Sequence, residues 1–335
     1  MVTSEFAPNQ PAIALPAMGC GTWAWGNRLL WDYQPEMDPE LQAVFNTCVA
    51  NGITLFDTGD SYGTGKLKGR SEALLGQFTA AYTGSNRDRL CLATKLAPYP
   101  WRLTRGSIKR ACAASAERFG RPVDLVQLHW STANYLPFQE TILLEGLGDL
   151  FEAGLVRAIG LSNFGPKRLR QAAAQLGDRG IPIATLQVQY SLLSTDPVTQ
   201  LQLDQVCQEL GIQLIAYSPL GLGMLSGKYD GKHPEKPLPQ GLRGRVYRNI
   251  LPKVQPILAT VRQIAQAREK TMAQVALNWC IGKGTMPIPG AKTIAQVQEN
   301  LGALGWRLSE AEMAQLDQVV TNTNQGMVQN PFQSR

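Results

Sequence analysis

The chain has 335 residues, 44% of them hydrophobic and 17% charged, with a formal net charge of +6. That apolar share supports a large core and excludes intrinsic disorder. No run of five like charges occurs, so no nucleic-acid footprint is expected, and a small anionic ligand suits the basic balance.

Two histidines, His129 and His233, are too few for a His-rich metal centre. The six cysteines (Cys20, Cys48, Cys91, Cys112, Cys207, Cys280) stand singly, without a C-x-x-C pair. They read as buried thiols in a reducing compartment, not as a zinc site or disulfide framework. Met1 to Gln10 carries no apolar signal-peptide core, and no 18-residue uncharged apolar run reads as a membrane span. A cytoplasmic chain with no membrane partner and no metal is expected.

Along the chain, Gly19-Cys20-Gly21-Thr22-Trp23-Ala24 fits G-x-G-x-x-A. A proline-bearing segment precedes it and bulky Trp23 and Trp25 follow, which suits neither the strand nor the packed helix of a dinucleotide fold. Asp38-Pro39 then opens a helix whose apolar positions are Leu41, Val44, Phe45, Cys48 and Val49, stopped by Asn51-Gly52. Strand-like runs follow at Ile53–Phe56, Leu90–Thr94, Val123–Leu128, Val156–Leu161, Ile183–Val188 and Ile212–Ala216. They are almost continuously apolar, as strands buried on both faces must be, and their spacing of about 30 residues is that of a βα unit. A helix from Gly165-Pro166 to about Gly177 fits between two of them. Val254, Ile257, Leu258, Val261, Ile264 and Ala265 form a further apolar stripe. Thr271 with Gln274, and Ser309 with Glu312, have capping-box spacing.

With apolar runs at Thr285–Ile288 and Leu301–Trp306 the strand candidates number eight, which closes a (β/α)8 TIM barrel. The expectation is one α/β barrel domain over residues 1–335. It has a short N-terminal hairpin and a long irregular segment, Gly221–Pro252, after the sixth strand of this count. In such a barrel the active site lies at the carboxyl ends of the strands. Those ends carry Asp57, Lys95 and His129, with Tyr62 just beyond the first. An acid, a base, an imidazole and a phenol there form either a reaction centre or a buried ion pair beside a satisfied histidine.

Ile53 to Gly63 reads ITLFDTGDSYG, followed by Arg70-Ser71-Glu72 and Leu75-Gly76. DLVQLHW, AIGLSNF, QVQYS, AYSPL and PIPGA follow in order. In these motifs the chain resembles an aldo-keto reductase over nearly its whole length. GLGMLSGKY from Gly221 and NLGALGW from Asn300 are most similar to the plant chloroplast branch of that family, although no Ser/Arg-rich transit peptide is visible here.

The resemblance implies NADP(H)-dependent reduction of an aldehyde or ketone, with Asp57, Tyr62, Lys95 and His129 as catalytic tetrad. Tyr62 would give the proton, its pKa lowered by Lys95, which Asp57 keeps charged; His129 would orient the carbonyl. Gly21, Thr22, Trp23 and Asp57 would border the cofactor. Ser162, Asn163 and Gln187 would hold the nicotinamide carboxamide, and Tyr217 would stack on the ring. Ser218, Leu220, Gly221 and Gly223 would meet the pyrophosphate, with Lys228, Arg243 and Arg245 supplying charge. Gly290, Lys292, Gln296, Glu299 and Asn300 would take the adenosine end. Gln296 is neutral where many NADP-dependent relatives carry arginine, which leaves Lys292 for the 2′-phosphate.

Trp23, Trp25, Tyr62 and Trp130 are expected to wall the substrate pocket, and Trp31, Trp101, Trp279 and Trp306 to sit in the core. A monomer is expected. The alternative implied by the same resemblance is a cofactor-binding redox sensor of the channel β-subunit type, which keeps the same tetrad without turnover.

Overall fold

In the computed structural model the described residues are 13–229, 238–327 and 330–334. Eight parallel strands follow one another in sequence order: β1 Cys20–Gly21, β2 Leu55–Asp57, β3 Cys91–Leu96, β4 Val123–Leu128, β5 Val156–Ser162, β6 Ile183–Gln189, β7 Gln213–Tyr217 and β8 Met286–Pro287. The first and last strands are joined as well. The Gly19 N–H donates to the Pro287 carbonyl at 3.0 Å, and Gly21 forms a parallel bridge with Gly290. Glycine is required at 21, where a Cβ would lie 2.8 Å from the Ile288 carbonyl oxygen.

The strand count reaches eight by a different route from the one expected. Cys20–Gly21 supplies the first strand, although its flanking proline and tryptophans disguised it. Leu301–Trp306 supplies none: Leu301 ends the Ile294–Leu301 helix, and the Trp306 indole N–H folds back onto the Gly302 carbonyl. The segment beginning at Gly221 therefore follows β7, the seventh strand. It is also less irregular than expected, because Gly241–Ile250 is a helix. Its residues 230–237, His233 included, lie outside the described residues. So do residues 1–12, and no hairpin precedes β1 among the described residues.

Helices read from periodicity form where expected. Asp38–Ala50 buries Leu41, Val44, Phe45, Cys48 and Val49; Pro166–Gly177 and Gln255–Ala267 match the expected spans; both capping boxes are made. All six cysteines are free and buried.

Two cores result from strand alternation, since successive side chains face opposite sides of a sheet. One lies between sheet and helices. The other is a small inner cluster of Leu55, Cys91, Ala93, Leu125, Ala158, Ile215, Met286 and Ile288. Stepping two residues along β2, β3 and β4 from that inner cluster leads to Asp57, Lys95 and Gln127. The fold thus stacks a polar layer directly on an apolar one.

Candidate active site

Asp57 and Lys95 form a fully buried ion pair, with Lys95 Nζ 2.5 Å from Asp57 Oδ2. The ammonium also donates to the Thr58 carbonyl at 2.7 Å. Asp57 Oδ1 accepts from the side-chain amides of Gln127 at 3.0 Å and Gln187 at 2.8 Å. A buried pair survives desolvation only when its charges are compensated; here both Asp57 oxygens accept hydrogen bonds and the ammonium donates to two partners. Gln127 was not expected at the site; its signal was its place in DLVQLHW, two residues before His129 on the same strand face. Gly160 gives it room, since a Cβ there would lie 2.9 Å from Gln127 Cγ.

Tyr62 arrives from the turn after β2. Its N–H bonds the Gly59 carbonyl, and its ring packs flat enough on Gly59 that a Cβ would come within 3.1 Å. Lys95 Nζ lies 4.9 Å from the centre of that ring. The His129 ring meets Tyr62 edge-on at 5.8 Å, and its Nδ1 is buried without a partner.

The electrostatics correct one expectation. Burial, reinforced by the Asp57 carboxylate, holds the Tyr62 phenol well above its ordinary pKa. That burial outweighs the pull of the Lys95 ammonium, whose charge is in any case paired with Asp57. Burial also pulls Lys95 below the usual lysine value, against the attraction of Asp57. Burial, then the Lys95 ammonium, keeps His129 well below the usual histidine value. At neutral pH the cluster therefore holds a neutral phenol and a neutral imidazole above an ion pair.

These side chains floor a cavity of about 1000 Å³ at the carboxyl ends of the strands. From the tetrad it passes Ser162, Asn163, Gln187 and Tyr217, then Ser218, Leu220 and Gly223. It ends among Lys228, Gly290, Lys292, Gln296, Glu299 and Asn300; Gly21 and Trp23 form one side and Trp130 another. Asn163 sits at φ 59° and turns its amide onto the His129 carbonyl and the Ser162 hydroxyl, while the Tyr217 hydroxyl donates to its Oδ1 at 3.0 Å.

At the far end, burial and then the nearby Arg243 guanidinium push Lys292 below the ordinary lysine value, with Lys228 adding to the effect. Arg243 lines the cavity there. The backbone beside these cations is strained, with Ser218 at φ 52° and Leu222 at φ 56°. Arg243 and the Tyr247 hydroxyl hold that strain by donating to the Leu222 carbonyl. Gln296 spends its carbonyl on the Lys292 N–H at 2.7 Å and so shapes the Lys292 loop.

Four expected residues do not reach the cavity. Thr22 is buried beneath it, its hydroxyl donating to the Asp57 carbonyl and lying against Ser71. Trp25 is fully buried in the core: its ring packs on Phe56 and Phe78, and its indole N–H donates to the Ala291 carbonyl at 3.0 Å. The turn after β1 sends Trp23 to the cavity and Trp25 into the core. Gly221 is buried against Leu193 rather than exposed to the cavity. Arg245 does not line the cavity either.

Conversely, Trp31 packs against the core but also lines the cavity, under the Arg243 guanidinium at 4.5 Å, and Trp101 is exposed on the surface rather than in the core. Trp279 is fully buried as expected. Met327, Asn330, Pro331 and Phe332 also line the cavity, and no sequence pattern had marked them.

The cavity fits a dinucleotide in chemistry as well as size. Aromatic and amide groups stand at one end, cations and an open glycine-lined backbone at the other, where a Cβ on Gly290 would meet only the Gly21 carbonyl at 3.4 Å. Trp31 Nε1 and His129 Nδ1, both buried and unpartnered, are polar atoms for a ligand to satisfy.

Comparison with known proteins agrees. The aldo/keto reductase family model matches residues 17–321. The chain is 50% identical to a chloroplastic pyridoxal reductase from Arabidopsis thaliana, over 96% of this chain and 88% of the relative. It is similar to an aldo/keto reductase from Klebsiella pneumoniae solved with NADP and acetate, with 27% identity, a TM-score of 0.69 and 95% of each chain covered. Its fold also resembles that of a glycerol dehydrogenase from Gluconobacter oxydans, at 22% identity and a TM-score of 0.76 over 96% of each chain. The chain belongs to the aldo/keto reductase family.

Proposed function

We propose that this chain is an NADPH-dependent carbonyl reductase, with pyridoxal the first aldehyde to test. What carries the reading is the buried Asp57–Lys95 pair beneath a neutral Tyr62 and a neutral His129, at the floor of a cavity that runs to Lys292. The name of the Arabidopsis relative supports the choice of pyridoxal.

A nicotinamide held in this cavity would supply a hydride to the carbonyl carbon. Negative charge then develops on the carbonyl oxygen and must be met by a proton. Tyr62 is the donor in this reading. Its raised pKa keeps the phenol protonated before reaction, and the Lys95 ammonium, 4.9 Å from the ring, stabilises the phenolate as the proton leaves. Asp57 holds Lys95 in place, and Gln127 and Gln187 hold Asp57. His129, neutral and with a free ring nitrogen, directs the carbonyl oxygen toward Tyr62.

Asn163 and Ser162 would hold the carboxamide edge, and Tyr217 would cover the ring. Lys228 and Arg243 would neutralise the pyrophosphate, and Lys292 would meet the 2′-phosphate as a point charge. Trp23 and Trp130 give an aromatic, water-excluding wall that suits a planar aldehyde.

Mixing the protein with NADPH and pyridoxal tests the reading. Loss of reduced-nicotinamide absorbance with formation of the corresponding alcohol is expected. Tight NADPH binding without oxidation by pyridoxal or any aldehyde of a broad panel would remove the enzymatic reading.

A further inference from the structure

The segment after the last helix, Glu310–Thr323, does more than wall the substrate pocket. Met327 is tied to the body of the fold by its N–H, which donates to the Leu193 carbonyl at 2.7 Å. At the other end Ser334 is buried: its N–H donates to the Asn163 carbonyl at 3.0 Å, and its hydroxyl accepts from the Gly165 N–H at 2.8 Å. Between these anchors Phe332 stacks on Trp130, with centroids 4.6 Å apart and planes at 25°. Asn330 reaches past that wall. Its Nδ2 donates to the Tyr217 hydroxyl at 2.7 Å, and its Oδ1 accepts from the Phe332 N–H at 2.9 Å.

The direction of these bonds matters. A tyrosine hydroxyl has one proton, and here it goes to Asn163 Oδ1 at 3.0 Å. Burial keeps the Tyr217 phenol well above its usual pKa, so it stays a donor at neutral pH. Its oxygen must then accept, and among the described residues the donor facing it is Asn330. Asn330, Tyr217 and Asn163 form a chain of hydrogen bonds that fixes a ring over the cavity and, through Asn163, the backbone carbonyl of His129.

We propose that Asn330 is a positioning residue for hydride transfer: it sets the plane of Tyr217, so residues 330–332 belong to the cofactor site as well as to the substrate wall. The inference rests on the reductase reading above. It separates two roles within three residues. Phe332 acts on the aldehyde through Trp130, while Asn330 acts on the nicotinamide through Tyr217.

The test is a set of variants on the full chain, measured with NADPH and pyridoxal. Asn330→Ala is expected to lower kcat about five- to tenfold, the worth of one buried hydrogen bond realised in the reacting geometry, with the aldehyde KM within about twofold. The isotope effect with NADPH deuterated at the transferred position should rise, because hydride transfer becomes slower than product release. Asn330→Asp keeps the acceptor for the Phe332 N–H but cannot donate to Tyr217, so it should share the kcat loss and keep the aldehyde KM.

Combining Asn330→Ala with Tyr217→Phe should cost little more than Tyr217→Phe alone, since both remove the same bond. Phe332→Ala should do the converse, raising the aldehyde KM and leaving the isotope effect unchanged. An Asn330→Ala protein that loses only aldehyde affinity, or that adds fully to Tyr217→Phe, overturns the proposal. A wild-type protein that neither binds nor oxidises NADPH removes the reductase reading itself, and the two failures are therefore distinguishable.

Discussion

The two ends of the cavity are built on different supports. The reacting end hangs from strands: Asp57 closes β2, Lys95 lies one residue from the end of β3, and His129 follows β4 directly. Its charges are paired and buried. The nucleotide end hangs from loops and helix starts. Its positive charge comes from Lys228, Arg243 and Lys292, and its backbone carries positive φ at Ser218, Leu222 and Gly223. The difference teaches where each kind of precision comes from. Proton transfer needs atoms placed to a fraction of an ångström, and a hydrogen-bonded sheet provides that. Phosphate binding needs charge and open backbone near a polyanion, which a strained, glycine-rich loop provides.

The sharpest way to break this comparison is at the reacting end. Tyr62→Phe should lower kcat by about 10³-fold, within the range assigned to a positioned general acid. NADPH affinity, read by tryptophan fluorescence, should stay within about twofold, because the phenol acts on the substrate. Collapse of NADPH binding along with activity would merge the two ends into one site.

A comparable energy is at stake in stability at Trp25. As a fully buried ring with a bonded indole, Trp25→Ala should cost about 3–5 kcal/mol in a denaturant titration. Trp130→Ala, a half-buried wall of the cavity, should cost less than about 1 kcal/mol and raise the aldehyde KM instead. Equal destabilisation by the two would put Trp130 in the core as well.

The same contrast explains what could be read in advance. Almost continuously apolar runs and a βα spacing of about 30 residues put Asp57, Lys95 and His129 at strand ends before any coordinates. Those residues stand where a one-dimensional period can locate them. β1 was missed because two residues are too short for a period, and its identity depends on bonds to Pro287 and Gly290, more than 260 positions away. Trp23 and Trp25 differ by a turn geometry that residue type does not encode. Asn330 and Phe332 lie in a segment with no repeating pattern, and only the folded chain brings them to Tyr217 and Trp130. The Tyr62 pKa was read with the wrong sign because proximity to Lys95 was visible in the motif, whereas the desolvation that outweighs it is a property of the packed site.

At the nucleotide end the expected effects are smaller. Lys292→Ala should weaken NADPH binding about tenfold, or about 1.4 kcal/mol, and leave NADH within about twofold. A point charge against the 2′-phosphate is lost in one case and has no partner in the other. Equal weakening of both cofactors would show that Lys292 acts through its bond to the Trp31 carbonyl, and hence through the Trp31–Arg243 contact, rather than on the phosphate.

The smallest effect is the most discriminating about the reacting end. A tetrad working through an ordinary histidine would lose aldehyde reduction as pH fell through about 6.5, where imidazole becomes charged. Here burial and Lys95 depress the His129 pKa, so the imidazole stays neutral well below that value. Burial and Asp57 raise that of Tyr62, so the proton to be donated is still present above the usual phenol range. The rate of reduction, measured as kcat/KM under buffers of constant ionic strength, should therefore vary less than about twofold between roughly pH 6 and 9. A neutral imidazole and a protonated phenol are both present throughout that window. A fall of tenfold on the acid side would mean that His129 titrates near its ordinary value, which requires a partner for the charged ring that none of the described residues gives its buried Nδ1. A fall of the same size on the alkaline side would restore Lys95 as the dominant neighbour of Tyr62, and with it a site whose charges are less evenly matched than the Asp57 contact implies.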